Sequence, residues 1–203
     1  MSAYPLMLEG VAIDALIVGG GSVATRKVKG LLDSGARVHV VAPSIDQELE
    51  VRAEGHELLR LTHEPYDVRH LAGATLVVAA TDDAALNVSI ARDARQRGVL
   101  VNVADAPELG TCTTPAAFRK GDIVVAVSTG RVPSAAARIR DALTAGIDER
   151  YSAAVRELAA LRRQLLADGR RERWQEAAHA LIGDDFCEQV EAGDLLARIG
   201  EWR

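Results

Sequence analysis

Short apolar runs rich in β-branched residues recur along the first half of the chain, at Ala12 to Val18, Arg37 to Val41, Thr75 to Ala80 and Val99 to Val103. Each is bounded by Gly, Pro, Ser or Asp, and runs of this length between turn-forming residues predict buried strands. Leu58 to Thr62 predicts one more. Between them, Ser22 to Ser34, Ile45 to Glu54 and Asp83 to Arg97 carry apolar positions three and four apart, which predicts helices; Gly35 and Gly98 stand where two of these must stop. Strand and helix therefore alternate, and alternation predicts the α/β class: a Rossmann-like, doubly wound parallel sheet with right-handed crossovers.

After Pro107 the pattern changes. "TCTTPAAFRKGDIVVAVSTG" reads as short strands around an Arg119 to Asp122 turn, followed by the apolar run Ile123 to Val127, a local antiparallel arrangement. From Pro133 onward the pattern is helical, interrupted at Gly146, Gly169, Gly183 and Gly193. The expected organisation is a nucleotide-binding domain over 1–111, a small antiparallel β and helical segment over 112–147, and a C-terminal helical domain over 148–203.

The net charge of −5 and the scarcity of aromatic residues speak against a nucleic-acid surface, which needs cations and stacking platforms. No apolar run approaches the roughly 18 residues of a membrane span, and "MSAYPLMLEG" lacks a basic stretch ahead of an apolar one. The two cysteines, Cys112 and Cys187, form no Cys-x-x-Cys pair or zinc-ligand spacing, which suits a reducing compartment. A cytoplasmic protein is expected.

Chemistry enters at "LIVGGGSVATRKVKG". Gly19, Gly21 and Ala24 satisfy G-x-G-x-x-A directly after a predicted strand and at the opening of a helix, the context that separates a dinucleotide grip from a chance glycine turn. Gly19 permits the sharp turn, Gly21 lets the backbone approach a pyrophosphate, and Ala24 lets helix and strand pack closely. The exposed amides of Gly20, Gly21, Ser22 and Val23 at a helix N-terminus favour an anion. The acid that usually meets the ribose at the end of the second strand is absent from "HVVAPS", so NAD and NADP stay equally open there; Ser44 or backbone groups could serve instead.

Two further constellations lie at predicted strand ends, where ligands bind in open α/β sheets. In "AATDDAALN", Thr81 and Asp82 could face the cofactor or simply cap the following helix, and Asn87 carries the same two readings. In "VNVADAPELG", Asn102 is a cofactor candidate and Asp105 could accept a proton, although Asp before Ala-Pro is also an ordinary turn residue. The five histidines share no ligand spacing and no metal site is expected.

Taken in order, "YPLMLEG", "VGGGSVATRK", "VVAATDD" with Asn87, "NVADAPELG", "PAAFRKGDIVVAVSTG" and "RRERW" resemble the precorrin-2 dehydrogenase family, the siroheme synthase N-terminal type, some members of which are also sirohydrochlorin ferrochelatases. The resemblance runs from Tyr4 to about Trp174 and stops short of the methyltransferase fused in longer siroheme synthases. It implies that precorrin-2 gives hydride to NAD and yields sirohydrochlorin, with ferrous iron as the substrate of a further insertion step in bifunctional members. It implies a homodimer held by the segment 112–147, with C-terminal helices closing the cleft. The family's acid falls on Asp105 as general base, and its serine falls on Ser128 with a regulatory or substrate-contacting role, although a strand-end serine is also an ordinary turn residue. Where the family reads S-T-G-G-x-S-P, this chain reads "STGRVPS": Arg131 replaces a glycine, and Pro133 can still start a helix. Arg131, Arg138 and Lys120 are candidates to meet the tetrapyrrole's carboxylates, for which the guanidinium fork is well suited. Arg26 and Lys27 match the family's "RK" and are candidates for phosphate or carboxylate. The competing expectation is a non-catalytic NAD-sensing module of the potassium-transport type, which "ATLVVAATDDAALNVSIARDARQRG" also resembles.

Overall fold

The computed structural model describes residues 3–130 and 132–203, and the chain divides into two compact units, Met1–Thr114 and Pro115–Arg203. In the first unit the elements run β1 (Asp14–Val18), α1 (Ser22–Leu32), β2 (Arg37–Val41), α2 (Gln47–Ala53), β3 (Leu59–Thr62), β4 (Leu76–Ala79), α3 (Ala84–Gln96) and β5 (Leu100–Val103). The five strands are all parallel, in the order β3-β2-β1-β4-β5. The α/β, doubly wound expectation is met. The order reverses direction between β1 and β4, which makes their C-terminal ends the switch point where such sheets open a crevice.

The reason lies in the side-chain alternation. Ala15 and Ile17 of β1 point to one face with Val38, Val40 and Val78, and are covered by Ala24 and Val28 of α1 and Leu49 of α2. Leu16 and Val18 point to the other face with Val77, Val101 and Val103, and are covered by Ile90, Ala91 and Ala94 of α3. Every residue from Ala15 to Val18 is buried, as a central parallel strand requires. Each fully buried Leu, Ile or Val side chain contributes about 1.5–3 kcal/mol relative to exposure.

Several element boundaries differ from the apolar pattern by one or two residues, and two of those shifts have a visible cause. The first strand begins at Asp14, because Gly10–Ala12 forms a 3-10 turn in which Gly10 lies hard against the Ser34 carbonyl. The second helix begins at Gln47, because the amide of Asp46 is held by the Gly20 carbonyl at 2.9 Å and Ile45 packs against the core instead. The link from β3 to β4 carries a single 3-10 turn, Val68–Leu71, capped by Asp67.

In the second unit β6 (Ala116–Lys120) and β7 (Ile123–Val127) form an antiparallel hairpin, against which α4 (Pro133–Thr144) packs. None of the residues of either hairpin strand is buried. Helices α5 (Glu149–Ala167), α6 (Arg171–Leu181), α7 (Phe186–Ala192) and α8 (Leu195–Gly200) then gather around Leu161, Leu165, Leu181, Leu195 and Ile199. Helix α4 starts at Pro133 as its sequence predicts, and none of the described helices is long and apolar enough to cross a membrane.

Candidate active site

The glycine turn joins β1 to α1. Gly19 has φ +119°, a conformation closed to other residues, and a Cβ there would stand 2.2 Å from the Ala80 carbonyl oxygen. The turn is tied to its neighbours: Gly19 N donates to Val41 O at 3.0 Å, and Ala80 N donates to Val18 O at 2.8 Å. Gly20, at the motif's open position, is constrained by contact alone, since a Cβ would fall 2.2 Å from Ser44 O. Gly21 differs. It is exposed, and a Cβ on it would meet nothing within 4 Å.

Gly21 is also the N-cap of α1, and among the described residues no side chain bonds the amides of that first turn. Those amides of Ser22, Val23 and Ala24 lack intrahelical partners by construction and carry the positive end of the helix dipole. Open space at Gly21, free amides behind it and a fully buried Ala24 anchoring the helix form a cradle that fits a dinucleotide's pyrophosphate. Ser44 is exposed beyond β2 with its carbonyl beside Gly20. Asp46, absent from the sequence expectations because it lies past the strand end, is also exposed, and its carboxylate does not cap α2. An acid therefore stands next to the turn after all.

The ends of β4 and β5 carry the second group. Asp83, not Thr81 or Asp82, caps α3: its Oδ1 accepts from Ala85 N at 2.9 Å and Leu86 N at 3.0 Å. Thr81 is free of that duty and bonds Asn87 instead, while Asp82 is exposed. Asp105 is exposed two residues past β5, and its Oδ1 accepts from Asn87 Nδ2 at 3.3 Å. Asp105 and the glycine turn sit at the same edge of one sheet, two strands apart, or roughly 10 Å in sheet spacing.

Asn102 is buried on the α1 side of β5. Its Nδ2 donates to Cys112 O at 3.2 Å, and its Oδ1 is buried without a partner. The chain from Thr111 to Thr114 folds back along this edge: Val101 N donates to Thr111 Oγ1 at 2.9 Å, and Lys27 Nζ donates to Thr114 Oγ1. Burial pushes the Lys27 pKa down, Arg26 adds to that, and Cys112 opposes it. Lys27 thus anchors the exit of the first unit, while Arg26 stays exposed.

The substrate candidates lie in the second unit. Ser128 and Arg138 are exposed there, and Lys120 pairs with Glu149 at 2.9 Å. Arg131 lies outside the described residues. Among the described residues no group of three or more His, Cys, Asp or Glu converges as metal ligands.

A protein family described as "Putative NAD(P)-binding" matches residues 6–116. The chain is 36% identical over 199 residues to the siroheme synthase of Nitrosomonas eutropha, covering 95% of this chain and 41% of that protein. It is 37% identical over 213 residues to the siroheme synthase of Methylococcus capsulatus, covering 98% of this chain and 45% of that protein. The chain thus spans less than half the length of these relatives. Among solved structures, "SirC, precorrin-2 dehydrogenase" superposes with a TM-score of 0.76 at 30% identity, covering 98% of this chain and all of that one.

Proposed function

As the chain belongs to the precorrin-2 dehydrogenase family, in the siroheme synthase N-terminal type, we propose that it oxidises precorrin-2 to sirohydrochlorin within siroheme biosynthesis, with NAD as hydride acceptor and Asp105 as general base. The observation that carries this reading is the position of the Asp105 carboxylate: exposed, fixed at one oxygen by Asn87, and at the same strand-end edge as the glycine turn. Removing two hydrogens from a reduced tetrapyrrole divides into a hydride and a proton. Bound NAD supplies the hydride acceptor. The chain supplies the rest: the α1 amides hold the pyrophosphate, and Asp105 Oδ2, which carries no hydrogen bond among the described residues, takes the proton.

The second unit supports a homodimer. A two-stranded ribbon is marginal alone, yet β6 and β7 bury none of their residues, and α4 leaves Ile139 and Leu143 exposed. A second copy covering this face would supply the missing burial. Arg131, Arg138 and Lys120 are the candidates for tetrapyrrole carboxylates, with Ser128 a further candidate to contact the substrate. Anaerobic incubation of the protein with precorrin-2 and NAD tests the proposal: equimolar NADH and sirohydrochlorin are expected, and nucleotide binding without turnover would return the protein to the sensor class. Adding ferrous iron to the product mixture tests iron insertion, for which Asp105 is again the candidate proton acceptor.

A further inference from the structure

Asn87 is assigned no role by the glycine motif or by the acid at Asp105, yet it is the most heavily bonded side chain of the site. It lies in the first turn of α3 and is 1% exposed. A buried primary amide offers two donors and two acceptor positions, and each left empty is costly. All four are filled. Asn87 Oδ1 accepts from Thr81 N at 3.3 Å and from Thr81 Oγ1 at 2.8 Å. Asn87 Nδ2 donates to Thr81 O at 3.0 Å and to Asp105 Oδ1 at 3.3 Å. Reversing the amide would set its oxygen against a carbonyl and a carboxylate, two acceptors, so the network permits one orientation.

We infer that Asn87 is a positioning residue for the dehydrogenation: its side-chain amide locks the Asp105 carboxylate by Oδ1, leaves Oδ2 as the proton-accepting oxygen, and holds that carboxylate in register with the Thr81 loop beside the glycine turn. This rests on the proposed role of Asp105. Three observations carry it. Among the described residues no other side chain bonds Asp105, whose own segment is exposed, so Asn87 alone orients the carboxylate there. The helix does not need Asn87 as a cap, because Asp83 already satisfies two of the α3 amides. The same amide also grips Thr81, whose backbone N is 3.2 Å from where a Cβ of Gly19 would be, so the loop it holds is the one that abuts the cofactor turn. An amide cannot itself take a proton at neutral pH, and its burial keeps it from touching a substrate; it acts through Asp105.

The test compares Asn87→Ala and Asn87→Asp with the wild-type protein under anaerobic turnover of precorrin-2 and NAD, alongside fluorescence titration with NADH. Loss of a fixed orientation lowers kcat about tenfold to a hundredfold, while the KM for precorrin-2 and the Kd for NADH stay within about threefold. Asn87→Asp keeps the two acceptor contacts to Thr81 but sets an oxygen against both Thr81 O and Asp105, so it is the harsher variant and shows the same split; Asn87→Ala is the milder one, and an NADH Kd within about threefold of wild type certifies that a variant has kept the fold. Turnover within about threefold of wild type in both variants, or a loss confined to KM or NADH affinity, overturns the inference. Asp105→Ala, run in parallel, separates two failures. Inactive Asp105→Ala beside active Asn87 variants removes only the positioning role, whereas active Asp105→Ala removes the base and the positioning role together.

Discussion

Gly19 and Gly21 are two residues apart in one turn, and alanine at each should do opposite things. At Gly19 an alanine would meet φ +119° and place its Cβ 2.2 Å from Ala80 O and 2.7 Å from Ala80 C. The backbone conformation alone costs about 1–3 kcal/mol, and pushing back the end of β4 adds an overpacking cost of about 1–3 kcal/mol. A destabilisation of about 3 kcal/mol lowers the Tm of a chain this size by about 6–12 °C. At Gly21 φ is −88° and no atom lies within 4 Å of the added Cβ. Stability there should fall by no more than about 1 kcal/mol, the cost of alanine at an N-cap, but the methyl group occupies the space the pyrophosphate needs, and NADH affinity should fall by about tenfold or more. Thermal unfolding and NADH fluorescence titration on both variants check this. Wild-type Tm in Gly19→Ala, or wild-type NADH affinity in Gly21→Ala, would refute the division of labour argued for the turn.

Other outcomes follow from groups outside the turn. The pKa of His39 lies below its ordinary value, chiefly through burial, with Arg60 and His70 adding and Glu64 opposing. The folded state therefore favours neutral His39, and the stability this represents is present above the unfolded value of about 6.5 and is lost as pH falls toward the folded one. Melts from about pH 7.5 to about pH 5.5 should show wild type losing Tm faster than His39→Gln, whose amide can keep the bond to Thr62 Oγ1; parallel curves would rule the effect out. Ile139→Asp with Leu143→Asp should convert a dimer to a monomer in sedimentation, and a dimer that persists would place the interface elsewhere.

The sheet was legible because each strand is short, apolar and bracketed by turn residues, and because Gly35 and Gly98 mark where helices end. Two of the boundaries that slipped are set by contacts distant in sequence, the Ser34 carbonyl at Gly10 and the Gly20 carbonyl at Asp46. The glycine motif located the grip and the Gly20 amide but not the tight fit of Gly20, since that restraint comes from Ser44, after the next strand. In Thr81-Asp82-Asp83 three consecutive residues can cap a helix, and the structure gives that task to Asp83 while Thr81 is engaged with Asn87. Asp105 was visible as an acid at a strand end. Its link to Asn87 joins residues 18 apart in sequence through two loops, and no spacing rule encodes such a contact.

The central claim joins a nucleotide grip to a proton acceptor in one unit, and one paired measurement tests it directly. Wild type and Asp105→Ala are titrated with NADH and then given precorrin-2 and NAD without oxygen. The account predicts equal NADH affinity, because Asp105 stands apart from the α1 amides, and a loss of sirohydrochlorin formation in Asp105→Ala of about a hundredfold to ten-thousandfold, the range of a general base. Equal rates of sirohydrochlorin formation in the two proteins would contradict it.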